Sequence, residues 1–253
     1  MAQRPTFDRP IAHRGLHDRA RGVIENSRSA FEAAIAGGFA IECDVQLSAD
    51  GIPMIFHDDH LERLTGRTGP VGSLTAQELE KTALLGSSSG DCPQRLSDFL
   101  AQIGGRTLLQ VELKKQPTAA MGRTLASTAA AAIAAYRGPV TVESFDPSLL
   151  TAMRREGYRG PLGIITYDYR NPEWDGGLTG GQRIVLRNLL HWPWTRFSFI
   201  SCYVRSLGLP AVMFFRALGV PVTAWTVRTD EERRLAAMGA DQIVFEGFAP
   251  QSA

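Results

Sequence analysis

The chain has 253 residues, a formal net charge of +1, and 44% hydrophobic and 21% charged residues. That composition describes a soluble globular protein with room for a large core. The near-neutral charge gives no electrostatic basis for a nucleic-acid partner.

Cys43, Cys92 and Cys202 stand far apart and in no CxxC spacing. This argues against a disulfide framework or structural zinc and fits a reducing compartment. The opening MAQRPTFDRP holds no apolar signal core, and no apolar run approaches the roughly 18 residues of a membrane span. Cytoplasmic residence is the expectation.

In chain order, the predicted strands are PIAH at 10–13, AIECDVQL at 40–47, IPMIFHD at 52–58 and TLLQVELK at 107–114. PVTVESF at 139–145, PLGIITY at 161–167, FSFISCY at 197–203, PVTAWTV at 221–227 and DQIVFE at 241–246 follow. Helix-forming stretches lie between most of them, several opening on Ser, Asp or Thr and closing on Gly.

SADG alone joins 40–47 to 52–58, too short for a parallel crossover, so this pair reads as an antiparallel hairpin. Setting the return strand aside leaves eight βα units, the arithmetic of a TIM (β/α)8 barrel. An open doubly wound sheet is the alternative, but no Gly-rich phosphate fingerprint follows an early strand. No linker divides residues 1–253, so one domain is expected, with 59–106 as an insertion at the catalytic face.

The chemistry gathers at strand ends. IAHRG closes the first strand with His13 and Arg14. A two-residue turn at Ala49 and Asp50 would set Asp44 opposite Ile55 and Glu42 opposite His57, with Glu42, Asp44 and His57 on one face. QVELKK adds Glu112 and Lys114, two apart and on one side of their strand. Three carboxylates without a cysteine suit a hard divalent cation, Mg²⁺ or Ca²⁺.

IAHRG, ENSRSAFEAAIAGGFAIECDVQLSADGIPMIFHDDHLERLTGRTGPV, LSDFL, QVELK, ESFDPSLL and AWTV together resemble the glycerophosphodiester phosphodiesterase family. The resemblance runs from about residue 10 to 238 and is most specific in the first 70 residues. It implies a TIM barrel that hydrolyses glycerophosphodiesters to glycerol 3-phosphate and an alcohol. It places metal ligands at Glu42, Asp44 and Glu112, and acid/base histidines at His13 and His57. Arg14 would hold the phosphate, Glu25 and Lys114 would support the site, and Trp225 would line the glycerol pocket. The family's nucleophile is the substrate's own glycerol hydroxyl, giving a cyclic phosphate that water then opens.

The chain departs from the family at VFEGFAP, where Glu246 stands near the usual aspartate or the region is remodelled. His17 and His60 read as loop residues, and His191 is a further titratable candidate. RIVLRNLLHWPWTRF mixes Arg183, Arg187 and Arg196 with Trp192 and Trp194. It reads as a barrel helix packing inward plus an aromatic loop, with membrane-surface contact as the alternative. Two other functions stay open: a catalytically silent barrel that binds a phosphorylated metabolite, and phospholipase D-like action on lysophospholipids.

Overall fold

The computed structural model describes residues 4–171 and 177–250. Among them, nine strands form one sheet: β1 (Ile11–Ala12), β2 (Ala40–Leu47), β3 (Pro53–Ile55), β4 (Leu109–Leu113) and β5 (Val140–Ser144), then β6 (Leu162–Thr166), β7 (Phe199–Tyr203), β8 (Val222–Val227) and β9 (Gln242–Phe245). Parallel pairing runs β1, β2, β4, β5, β6, β7, β8, β9 and back to β1. The eight parallel strands therefore close into the expected barrel, and β3 is the antiparallel return strand on β2.

Closure depends on unequal strand lengths. β1 pairs β2 only through Ile11–Ala40 and Ala12–Ile41, so the upper half of β2 overhangs it and receives β3 instead. The observed hairpin register differs by one residue from the expected one: Val45 faces Ile55 and Gln46 faces Met54. Its loop holds three residues, Ala49 to Gly51, with Gly51 at φ +79° and its N–H bonded to the Ser48 carbonyl. Glycine takes that left-handed conformation without a steric penalty. Asp44 thus lies beside Phe56, whose N–H donates to its carbonyl, and His57 follows the end of β3.

The alternation of β2 sorts its side chains. Ile41, Cys43, Val45 and Leu47 join the main core, where they meet Leu125, Ala126 and Ala129 of the helix Ala119–Ala134. Glu42, Asp44 and Gln46 take the opposite face and are also buried. A separate apolar cluster of Phe7, Ile11, Ala40, Phe199 and Val244 fills the barrel below them. Gly163 makes this possible, because a Cβ there would collide with the Phe199 ring. Glu42, Asp44 and Gln46 therefore stand on an apolar plug.

The stretch 59–106 divides in two. Short helices at Glu62–Thr65 and Ala76–Leu79 bury Leu61, Leu64, Val71 and Leu79 in a cluster of their own with Ile24, Met54 and Phe56. The helix Leu96–Ile103 instead packs Leu96, Phe99 and Ile103 into the main core as an ordinary barrel helix. A second long crossover joins β6 to β7 and carries the helices Gly180–Arg187 and Trp192–Thr195. The first of these buries none of its residues, which corrects the expectation that it packs inward. No helix among the described residues is long and apolar enough to cross a membrane.

Candidate active site

Side chains from the C-terminal ends of the strands converge on a cavity of about 1920 Å³, the end at which TIM-barrel sites are built. Glu42, Asp44 and Glu112 each offer a carboxylate oxygen, all within 4.8 Å of one another. The pairing explains it: Asp44 on β2 sits directly beside Glu112 on β4. Burial is the largest influence on Glu42 and pushes its pKa well up, reinforced by Asp44 and Glu112. Glu112 is raised for the same first reason, although Lys114 opposes it.

Asp44 behaves differently. Burial pushes it up, but His57, Lys114 and Arg14 together bring it well below the usual range. Lys114 Nζ lies 2.9 Å from Glu112 and 3.4 Å from Asp44, and Arg14 Nε lies 3.3 Å from Asp44. Asn26 clasps the same carboxylate through its amide, Nδ2 to Oδ2 at 2.8 Å, while its Oδ1 accepts the Asp44 N–H at 3.3 Å.

Loop geometry delivers Arg14. Its φ is +57° and that of Asn26 is +52°, both in a region side chains enter at a cost. The Arg14 N–H donates to Glu42 at 2.9 Å and its carbonyl accepts the Asn26 N–H at 2.9 Å. These two bonds hold the strained turn closed.

Each of the two proposed histidines has its own carboxylate. His13 Nδ1 is 2.6 Å from Glu246 and its Nε2 is 3.9 Å from Glu42. His57 Nδ1 is 2.7 Å from Asp58. Burial and then the Arg14 charge push His13 down to about 4, against the pull of Glu246, so its imidazole is neutral near pH 7. Gln46 Nε2 donates to the His57 carbonyl at 3.3 Å. That bond ties His57 to β2 even though the hairpin ladder has ended.

A chain of ion pairs links the outer groups. Arg14 pairs with Glu25 at 2.7 Å, Glu25 with Arg63 at 2.7 Å, and Arg63 with Asp58 at 2.6 Å. Burial pushes Glu25 up, yet hydrogen bonds from Arg63 and the charge of Arg14 bring it down to about 2. Glu246 also pairs with Arg228 at 2.8 Å. Trp225 lines the cavity, with its indole N–H donating to the Ser201 carbonyl and its ring 5.5 Å from both Phe145 and Tyr203.

Of the other histidines, His60 is exposed and His191 is buried beside Phe197, away from the carboxylates. His17 is half-buried in the loop after β1. Sequence reasoning left Asn26, Asp58, Arg63 and Glu143 without roles. Glu143 sits beside Glu112 in the ladder, accepts from Gln110 at 2.9 Å, and is pushed up to about 8 chiefly by burial. Asp58 lies in HDDH, but nothing in that string says which acid turns toward His57.

A closed barrel thus carries, at the C-terminal ends of its strands, a carboxylate cluster beside Arg14, Lys114 and two carboxylate-backed histidines, the arrangement of a TIM-barrel active site. The chain belongs to the glycerophosphoryl diester phosphodiesterase family, whose model matches residues 13–246. It is 27% identical over 246 residues, 92% of each chain, to the putative glycerophosphodiester phosphodiesterase YhdW of Bacillus subtilis. A 72-residue match to bovine glycerophosphodiester phosphodiesterase 1 is 38% identical but spans only 28% of this chain and 21% of that protein. Among solved structures, a putative glycerophosphoryl diester phosphodiesterase from Silicibacter pomeroyi aligns with a TM-score of 0.75 and 26% identity, covering 96% of this chain and 91% of that one.

Proposed function

We propose that this protein hydrolyses glycerophosphodiesters to glycerol 3-phosphate and an alcohol, with a divalent cation held by Glu42, Asp44 and Glu112. The carboxylate cluster fits such a cation. Three acids against Arg14 and Lys114 leave the cluster one charge negative when all ionise, and Glu42 Oε1 is buried without a hydrogen-bond partner. A dication would make the site one charge positive, matched to a phosphodiester monoanion. All-oxygen ligands suit Mg²⁺ or Ca²⁺. When bound, the cation supplies Lewis-acid stabilisation to the phosphoryl oxygens.

The chain's own groups do the rest. Arg14 presents a guanidinium held from behind by Glu25, and its fork suits two phosphate oxygens. Lys114 adds a compact positive charge over the same position. One histidine takes the proton of the attacking hydroxyl and the other returns a proton to the departing alkoxide. Their Nδ1 atoms are committed to Glu246 and Asp58, which reserves Nε2 for the proton transfers. Trp225, with Phe145 and Tyr203, forms an aromatic wall suited to the glycerol carbons.

The observation that carries this reading is the pair of carboxylate-backed histidines beside three clustered acids and two cations. Residence in a reducing compartment such as the cytoplasm is part of the same proposal, supported by three cysteines in no CxxC spacing. The experiment is a panel of glycerophosphodiesters and lysophospholipids assayed for release of glycerol 3-phosphate with Mg²⁺ or Ca²⁺ present. Release from glycerophosphodiesters is expected, and its absence across the panel would overturn the reading.

A further inference from the structure

Between Asp175 and Asp230 the chain has no acidic residue, while six arginines stand there at 183, 187, 196, 205, 216 and 228. In a protein of net charge +1, this is a strong local imbalance. Arg205 is answered by Glu231 and Arg228 by Glu246. Arg196 instead lies over the Trp192 ring at 5.3 Å.

The same stretch carries most of the exposed large apolar side chains. Ile184, Leu190, Trp192, Trp194, Met213, Phe214 and Leu218 are seven of the nine among the described residues. Ile184 and Phe214 are each 60% exposed and Trp194 is 57% exposed. Phe215 links two of them, its ring lying 5.9 Å from Trp192 and 5.5 Å from Phe214. Trp192 of the helix Trp192–Thr195 thus meets Phe215 of the helix Pro210–Ala217. At one edge, Val185, Leu186 and Trp194 line the cavity itself.

Scattered exposed apolar residues need no explanation, but a concentration of them beside the active-site mouth does. Charge decides the occupant. A second copy docking through this face would set arginine-rich surfaces against each other, because a two-fold interface pairs a patch with itself. Anionic phospholipid headgroups complement the arginines, and indole rings and aliphatic chains suit the headgroup–acyl boundary. We propose that the 184–218 face docks on an anionic lipid bilayer and sets the cavity mouth against the membrane surface. This does not rest on the proposed reaction, because binding is read without turnover.

The test is flotation of the whole protein with vesicles of equimolar phosphatidylglycerol and phosphatidylcholine, beside vesicles of phosphatidylcholine alone. Wild type should float with the anionic vesicles and remain behind with the neutral ones, and added salt should weaken the binding. Ile184→Glu and Phe214→Glu should each reduce partitioning by about tenfold or more. Arg196→Glu with Arg216→Glu should reduce it similarly. Phe214→Ala, judged with the others by an unchanged melting temperature, separates lost contact from lost folding. Failure to float, or binding that these substitutions leave intact, would overturn the proposal. So would a dimer in solution that Phe214→Glu dissolves.

Discussion

His13 Nδ1 and Glu246 Oε2 meet at 2.6 Å across 233 positions of sequence. They can do so because β1 and β9 close the barrel side by side, with Ala12 paired to Phe245 and the His13 N–H bonded to the Phe245 carbonyl. The chain's departure at VFEGFAP is therefore part of the site. Glu246 stands behind His13, with Arg228 on the same oxygen at 2.8 Å.

Removing that carboxylate's charge should free the imidazole to take the wrong tautomer. Glu246→Gln should lower kcat about 10–100-fold, the usual cost of losing the carboxylate behind a functional histidine, with little change in KM. Glu246→Asp should retain more activity than Glu246→Gln. Steady-state kinetics on one diester decide this, and an unaltered kcat in Glu246→Gln would deny the pairing a role.

The carboxylate cluster makes a prediction about stability as well as rate. Prolonged chelation should abolish hydrolysis, and Mg²⁺ or Ca²⁺ should restore it. A cation that binds only the folded protein must also raise its melting temperature, by about 2.7 kcal/mol of stabilisation at a hundred times the Kd. Asp44→Asn, nearly isosteric, should fold but lose that thermal shift. Full activity after thorough chelation would remove the cation from the proposal.

Strand positions and the three acids were legible because both follow from strict local patterns. Alternation puts Glu42 and Asp44 on one face of β2, whichever partner β3 chooses. The register of β3 was not legible. It depends on whether SADG makes a two-residue or a three-residue loop, and the positive φ of Gly51 selects the latter. A slip of one residue reverses the facing of every side chain in a regular ladder. His57 still reaches the site because the ladder stops at Ile55 and Gln46 holds the His57 carbonyl. Asn26 and Arg63 were hidden for another reason: loops brought together by tertiary packing place them, and no local periodicity marks such positions.

Glu25 should impose an acid limit on stability. Its pKa falls from 4.5 to about 2 on folding, so its pairing with Arg63 and Arg14 stabilises the fold above pH 4.5. That contribution fades as pH falls from 4.5 toward 2, where the folded protein must take up the proton. With Arg63 nearly half exposed, roughly 2 kcal/mol is the expected size. Glu25→Gln should be less stable than wild type at pH 7, and the gap should narrow as pH falls through that window. Urea unfolding at a series of pH values measures it, and a gap independent of pH would show that the ionised carboxylate is not what stabilises.

The two histidines should separate by leaving group. His13→Ala or His57→Ala removes one proton-transfer group while leaving Glu42, Asp44 and Glu112 in place, so cation binding should survive in both. Loss of general acid or base help costs about 10²–10⁴ in rate, and the deficit should fall on kcat because Arg14 and Lys114 still hold the phosphate. A diester with a much more acidic leaving alcohol needs less protonation at its departing oxygen. It should therefore rescue the variant lacking the acid far better than the variant lacking the base. The rescued position names the acid, and the other histidine is the base. Because His13 is buried and pushed down to about 4, its neutral imidazole is ready to accept a proton, and His13→Ala is expected to be the variant that the activated substrate does not rescue. Near-wild-type turnover in both variants, with the cation still bound, would show that neither histidine carries a proton in the reaction.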